Sequence, residues 1–124
     1  MTLLLDTHVL LWWLGEDDRL TPTMREAIAD PGAAVAVSAA SAWEMSIKAA
    51  LGKLTAPEDL VAELAHHGFD PLPVTVEDGL AAGALPRHHD DPFDRMLIAQ
   101  ARRRRLVLVT ADRRFADYDV LTLA

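Results

Sequence analysis

Met1-Thr-Leu-Leu-Leu-Asp6-Thr7-His8-Val-Leu-Leu-Trp12-Trp13-Leu14 opens the chain, and its reading decides the fold. Thr2 to Leu5 has the length and apolar character of a buried strand, and His8 to Leu14 reads as the helix that follows. Asp6 is the one acid in this stretch. An ionised carboxylate among leucines is costly unless partners or a cation offset its lost hydration. At the carboxyl end of a strand it stands where open α/β sheets place their ligands. One aspartate decides nothing by itself, so the question is whether other acids converge on it.

Outward from this stretch, strand and helix signals alternate without repeats, low-complexity tracts or a linker. Thr21-Pro22 is an N-cap followed by proline at the first helical position, opening a helix through about Ala29. Ala34 to Ser38 is a short buried strand, and a helix runs from about Ala40 to Leu51, stopping at Gly52. Pro57 to His66 places Leu60, Val61, Leu64 and Ala65 on one helical face, with Gly68 as the stop. Pro71 to Val76 can be a strand only at a sheet edge, given its two prolines. Glu77 to Leu85 is a weaker helix. Asp91-Pro92 opens a strong helix to about Arg104, Leu106 to Thr110 is the clearest strand, and Val120 to Leu123 is the last. Strands spaced by helices predict a single α/β domain over residues 1–124, with a parallel sheet covered on both faces.

Composition narrows the function. The chain has 124 residues, 51% of them apolar and 25% charged, as in a globular protein. It lacks cysteine, which removes disulfide scaffolds and thiolate metal sites. The apolar start has no basic leader and is interrupted by Asp6 and His8, so neither export nor a membrane span is expected, and the expected location is cytoplasmic. The net charge of −7 argues against nucleic-acid binding driven by overall charge; any such binding must use local basic patches.

Each further acid has two readings. Asp112 follows the strand Leu106 to Thr110, at a carboxyl end like Asp6, or it caps the short turn to Phe115. Glu44, in Ser41-Ala-Trp-Glu44, fits a capping box with Ser41 as N-cap, or an i,i+4 pair with Lys48. The residues alone favour capping, although Glu44 stands beside Trp43, Ile47 and Leu51 in a helix that also emerges at the carboxyl edge. Asp91 and Asp94 suit the N-cap and the first turn of their helix, where both favour the dipole. Capping leaves that turn generously supplied with acids. Clustered carboxylates without an adjacent base repel one another unless a cation neutralises them. All-oxygen ligation selects hard ions such as Mg²⁺ or Mn²⁺. Such a site can orient water and stabilise charge on a phosphodiester during in-line attack.

Leu-Leu-Leu-Asp6-Thr7, Ser-Ala-Trp-Glu44, Asp91-Pro-Phe-Asp94-Arg-Met-Leu-Ile-Ala-Gln100 and Val-Thr110-Ala-Asp112-Arg-Arg-Phe115 together resemble the PIN-domain ribonucleases. The similarity is greatest to toxins of the VapC kind from VapBC toxin–antitoxin pairs, and it covers essentially the whole chain in order. The resemblance implies a five-stranded parallel sheet in a three-layer α/β/α fold. It matches Asp6, Glu44, Asp94 and Asp112 to an acidic quartet that binds one or two Mg²⁺ or Mn²⁺ ions. Thr110 matches a hydroxyl residue near that site, Thr7 follows the first acid, and Asp91 is an N-cap that positions Asp94. It further implies a structured RNA substrate such as transfer or ribosomal RNA, a homodimer, and a VapB-like antitoxin that reaches the acidic site with a basic residue or a helix.

Other residues have smaller claims. Arg113 and Arg114 are well placed beside a scissile phosphate, and Lys48 and Lys53 could extend an RNA path. Arg102 to Arg105 reads first as a cationic helix end and second as a phosphate grip. His88 and His89 read as exposed loop residues, and Trp12 and Trp13 as core or subunit contact before base stacking. A signal-receiver domain would need an acidic pair after the first strand and a lysine after the last; here Asp6-Thr7 stands at the first and no lysine follows Lys53. A catalytically silent PIN-like binding module is the remaining alternative, though such modules usually lose part of the acidic set.

Overall fold

In the computed structural model, which describes residues 1–124, β1 (Thr2–Leu5), β2 (Ala34–Ser38), β3 (Asp70–Leu72), β4 (Val107–Val109) and β5 (Leu121–Leu123) form one sheet. All four pairings are parallel and the order is β3-β2-β1-β4-β5. The leucine strand that opens the chain is therefore the centre. Its side chains alternate between faces, as the period of two requires. Leu3 and Leu5 join Val35, Val37 and Val109 in one apolar cluster, while Leu4 joins Ala36 and Leu108 in the other.

Six helices cover the two faces: α1 (Thr7–Leu14), α2 (Pro22–Ala29), α3 (Ala39–Ala50), α4 (Leu60–His67), α5 (Val76–Ala84) and α6 (Pro92–Arg104). Val9, Leu10, Met24, Ile28, Met45 and Leu64 bring the first four onto the Leu3 face. Ala82 and the α6 residues Leu97, Ile98 and Ala101 cover the Leu4 face, with Phe115 from a 3₁₀ turn (Arg113–Asp117). No helix is long and apolar enough to cross a membrane.

Local chemistry explains most boundaries, and several differ from the sequence expectation. Thr21 caps α2, accepting the Met24 N–H at 3.2 Å, and Pro22 takes the first helical position. Gly68 ends α4 with φ 69°, a backbone conformation that side chains resist. The helix expected from Pro57 begins instead at Leu60, because the Asp59 carboxylate caps it by accepting the Ala62 N–H. The expected edge strand Pro71 to Val76 shrinks to Asp70–Leu72 on the outer side of β2. Pro73 lacks the N–H that a longer ladder would use. The α3 helix starts directly after β2 with Ser38 as its N-cap. Ser41 therefore lies inside the helix, and the expected Ser41–Glu44 capping box does not form.

One polar cluster ties α5 to α6. Asp78, fully buried, and Thr75 form a reciprocal capping box at the start of α5. The Asp78 carboxylate also accepts from Arg103, from both terminal nitrogens of Arg104 and from Gln100. Burial pushes its carboxyl up, but the bonds from Arg104, the Thr75 backbone, Gln100 and Arg103 outweigh this and hold it well below the usual range. A depressed carboxyl stabilises the fold above the unfolded-state value of about 4, and that contribution fades as pH falls through it. Asp78→Asn is therefore expected to lower the unfolding free energy by about 2–3 kcal/mol at neutral pH. The difference from the parent should narrow below about pH 4. Urea unfolding at both pH values checks this, and an equal deficit at both would remove the charge from the account.

Candidate active site at the carboxyl edge of the sheet

The site is built on the central strand. Past Leu5 the Asp6 N–H donates to the Val109 carbonyl at 3.0 Å, extending the β1–β4 ladder by one residue. This fixes the Asp6 backbone before its side chain makes any contact. Asp6 Oδ1 then accepts the His8 N–H at 2.9 Å, capping α1, and Oδ2 accepts the Thr110 hydroxyl at 2.6 Å. Thr110 Oγ1 in turn accepts the Asp112 N–H at 3.0 Å, so one threonine links the acids that follow β1 and β4.

Glu44 arrives from the other neighbour of β1. On the first turns of α3 after β2, it is buried and turned inward. Thr7 Oγ1 lies 2.7 Å from Glu44 Oε1 and 2.9 Å from Ser41 Oγ. With one proton available, Thr7 donates to the carboxylate and accepts from the serine. Lys48 Nζ donates to Glu44 Oε2 at 2.5 Å, the i,i+4 pair that the sequence allowed. That bond raises the Lys48 pKa above its ordinary value.

Asp94 completes the set from the first turn of α6. Asp91 caps this helix, its Oδ1 accepting the Asp94 N–H at 3.0 Å. Asp112 caps the 3₁₀ turn that follows β4, and Arg114 donates to both of its oxygens. Arg114 is the main influence that brings the Asp112 carboxyl down to about 2, with burial opposing. Asp94 behaves oppositely. Burial first, then the charges of Asp6, Asp91, Glu44 and Asp112, push its carboxyl up to about 8. Those four charges act on Asp94 because the topology gathers them at one edge.

The sequence reading missed His89. It was expected in an exposed loop, yet it is 3% accessible, with Nε2 3.0 Å from Asp94 Oδ2 and 3.2 Å from Asp112 Oδ2. Its Nδ1 accepts the Asp91 N–H at 3.2 Å, so the proton of the ring sits on Nε2 and points at the carboxylates. Proximity would allow His89, Asp94 and Asp112 to share an ion. The tautomer instead makes His89 a donor and leaves ligation to oxygen. His88, its neighbour, is exposed as expected.

Two residues hold this loop. Tyr118 Oη accepts the His88 and His89 N–H groups and donates to the Pro86 carbonyl at 2.7 Å. The Arg95 guanidinium donates to the carbonyls of Ala82, Leu85, Pro86 and His89, tying the end of α5 to the start of α6. Neither role has a local sequence signal, because the partners lie up to 32 residues away. Of the expected basic residues, Lys48 and Arg114 reach the site and Arg113 is exposed beside it. Arg103 and Arg104 do not reach it; they are engaged by Asp78.

Carboxylates gathered at the carboxyl edge of a five-stranded parallel sheet place the chain in a class of α/β domains with an acidic edge. The chain belongs to the PIN-domain family, whose model matches residues 3–121. It is 32% identical over 121 residues to Ribonuclease VapC22 of Mycobacterium tuberculosis, covering 94% of this chain and 92% of that one. The fold is similar to a chain in the crystal structure of VapBC2 from Rickettsia felis bound to a DNA fragment from their promoter, with a TM-score of 0.70 at 13% identity over 99% and 98% of the two chains. A chain of VapBC-1 from nontypeable Haemophilus influenzae gives 0.64 at 19% identity, covering 99% of this chain and 97% of that one.

Because Arg95 bonds through a planar fork to several carbonyls, lysine cannot replace it. Arg95→Lys is expected to cost about 2–3 kcal/mol, since carbonyls at the end of α5 lose their donors. Chemical denaturation measures this; a loss under half a kcal/mol would mean that water serves those carbonyls equally well.

Proposed function

We propose that this chain is a metal-dependent endoribonuclease of the VapC kind, the toxin of a toxin–antitoxin pair. The convergence of Asp6, Asp91, Glu44 and Asp112 on a largely buried Asp94, where burial first and then those charges push its carboxyl up to about 8, is the observation that carries the reading. A site this crowded with like charge is one that a cation would relieve. The donors fit a hard ion, Mg²⁺ or Mn²⁺: they are carboxylate oxygens, and the His89 nitrogen between Asp94 and Asp112 presents its proton. Membership of the PIN family and the likeness to a named ribonuclease support the same chemistry.

Asp6, Glu44, Asp94 and Asp112 would hold the ion. When bound, it would supply Lewis-acid stabilisation of charge on a phosphodiester and lower the pKa of attacking water. The protein supplies orientation. Thr110 and the His8 N–H fix both oxygens of Asp6, Thr7 fixes Glu44, and Asp91 with His89 sets Asp94 against Asp112. Arg113, Arg114 and Lys48 stand at the ends of this acidic row, where they would meet RNA phosphates. Transfer or ribosomal RNA is the substrate class the family suggests. A VapB-like antitoxin is the proposed partner, supported by the VapBC complexes that share the fold, and the active form is proposed to be a homodimer. The intact quartet speaks against a catalytically silent module.

Purified protein is expected to cleave RNA with Mg²⁺ or Mn²⁺ and to stop with EDTA. Asp94→Asn should lower the rate by roughly 10³-fold, the scale of losing a group that stabilises transition-state charge. Its melting temperature in metal-free buffer should be unchanged at neutral pH, where the raised Asp94 carboxyl is largely protonated, and higher above about pH 8, where the parent carries the repelling charge. Full cleavage by this variant would sink the acidic-site mechanism. His89→Leu should weaken Mn²⁺ binding about tenfold, with His89→Gln restoring part of it through its amide N–H, the scale expected for groups that orient metal ligands. Calorimetric titration reads this without relying on turnover.

A further inference from the structure

Beside the acidic row lies a cleft of which only the Lys48 side chain has a role above. It has a volume of about 500 Å³ and is lined by residues that include His8 and Trp12 of α1, Asp17 and Arg19 after it, and Lys48 and Lys53 at the end of α3. That volume is within the usual range for a ligand site. We propose that this cleft is an RNA subsite, taking a nucleotide of the substrate strand that flanks the scissile phosphate on the Glu44 side. The assignment rests on the endoribonuclease reading and extends it.

Charge is the first support. The chain carries −7, yet three cations face one carboxylate here, and Lys48 and Lys53 are the chain's two lysines. Asp17 is engaged by Arg19 at 2.7 Å, and Glu44 by Lys48. Lys53 is exposed and makes no ion pair, so its charge is free for a phosphate. A local cationic pocket on an anionic protein is the arrangement that polyanion binding requires.

Position is the second. Two wall residues also touch the acidic row: Lys48 on Glu44, and His8 Nδ1 3.8 Å from Asp6 Oδ1. The cleft therefore adjoins the acids through these two shared side chains. Because β2, β1 and β4 are neighbours in the sheet, the acids that follow them run in the order Glu44, Asp6, Asp112. Lys48 and the cleft occupy one end of that row, and Arg114 the other. A strand crossing the row would meet cations on both sides of the cleavage point.

Chemistry of recognition is the third. Trp12 is half-buried in the wall with the Arg19 guanidinium 5.4 Å from its ring centroid. Aromatic and guanidinium surfaces together, beside a free ammonium group, are what nucleic-acid bases and phosphates use without sequence readout.

The test uses the full chain carrying Asp94→Asn, which should bind RNA without cutting it, and a fluorescein-labelled single-stranded RNA 12-mer in Mg²⁺ buffer. Fluorescence anisotropy across a salt series gives affinity and its salt slope. Adding Lys53→Ala should flatten the slope by about 0.7, one phosphate contact on a single strand. Adding Trp12→Leu should weaken binding roughly tenfold with the slope intact, as loss of one stacked base does, while Trp12→Phe keeps most of the affinity. Arg25→Ala, on the exposed part of α2, should change neither. An unchanged slope for Lys53→Ala, in a chain whose unmodified form cleaves RNA, overturns the subsite and leaves the nuclease standing. A parent chain that neither binds the 12-mer nor cleaves RNA in its unmodified form overturns the nuclease reading itself. Lys53 is exposed, so its substitution reads binding without disturbing the core.

Discussion

Like-charge crowding at the carboxyl edge of the sheet is the constraint to which the rest of the molecule answers. Asp94 experiences Asp6, Asp91, Glu44 and Asp112 together with burial, and its carboxyl rises to about 8. Against an ordinary value near 4, keeping it ionised opposes folding by on the order of 5 kcal/mol. The fold must hold that arrangement without the acids forcing it open. The opening strand supplies the means: Leu3, Leu4, Leu5, Val9 and Leu10 are fully buried on both sides of Asp6. Each such side chain contributes roughly 1.5–3 kcal/mol, so a few leucines outweigh the combined cost of burial and repulsion. The anomaly of one charge among leucines is thus a division of labour along a single stretch.

Hydrogen bonds decide the geometry that burial alone leaves loose. Asp6, Asp91 and Asp112 each use one oxygen to cap a helix or turn, taking the N–H of His8, Asp94 and Arg114. In Asp6 and Asp112 the second oxygen is then presented at the edge, to Thr110 and to His89. A cap at a strand–helix junction has this property built in, because the backbone N–H fixes the carboxylate plane. Capping and site membership are therefore not competing explanations for these residues. In Asp6 and Asp112 one oxygen makes the cap and leaves the other for the proposed site.

This is why the sequence supported both readings without separating them. Strand and helix order, the buried strand Thr2 to Leu5, the capping of α2 and α6 and the Gly68 stop of α4 were legible, since apolar runs and caps are local signals. Glu44 was harder: its apparent capping box with Ser41 fails because Ser38 already caps α3, and of its two partners only Lys48 is local, while Thr7 is 37 residues away. His89 was illegible for the same reason. Adjacent histidines in a polar loop suggest exposure, and only Arg95 and Tyr118, reaching back from α6 and beyond the 3₁₀ turn, press one of them inward. Local patterns fixed where the acids start, and distant partners fixed how they face.

The arginine run at the end of α6 shows how the same logic redistributes charge. Arg102 to Arg105 is the densest basic segment of the chain, by sequence a cationic helix end first and a phosphate grip second. Asp78 takes Arg103 and Arg104 to join α5 to α6, away from the acidic row. What remains beside the acids is sparser and better placed: Lys48 on Glu44, Arg114 on Asp112, and Lys53 without a carboxylate partner. A cation paired with an acid of the site also tempers the field there while no substrate is present. A phosphate arriving at the row can take over such a cation only where another charge relieves the acid it leaves. The ion proposed for the quartet would provide that relief, so on this view the cation site and the basic margins act together, and neither would hold RNA well alone.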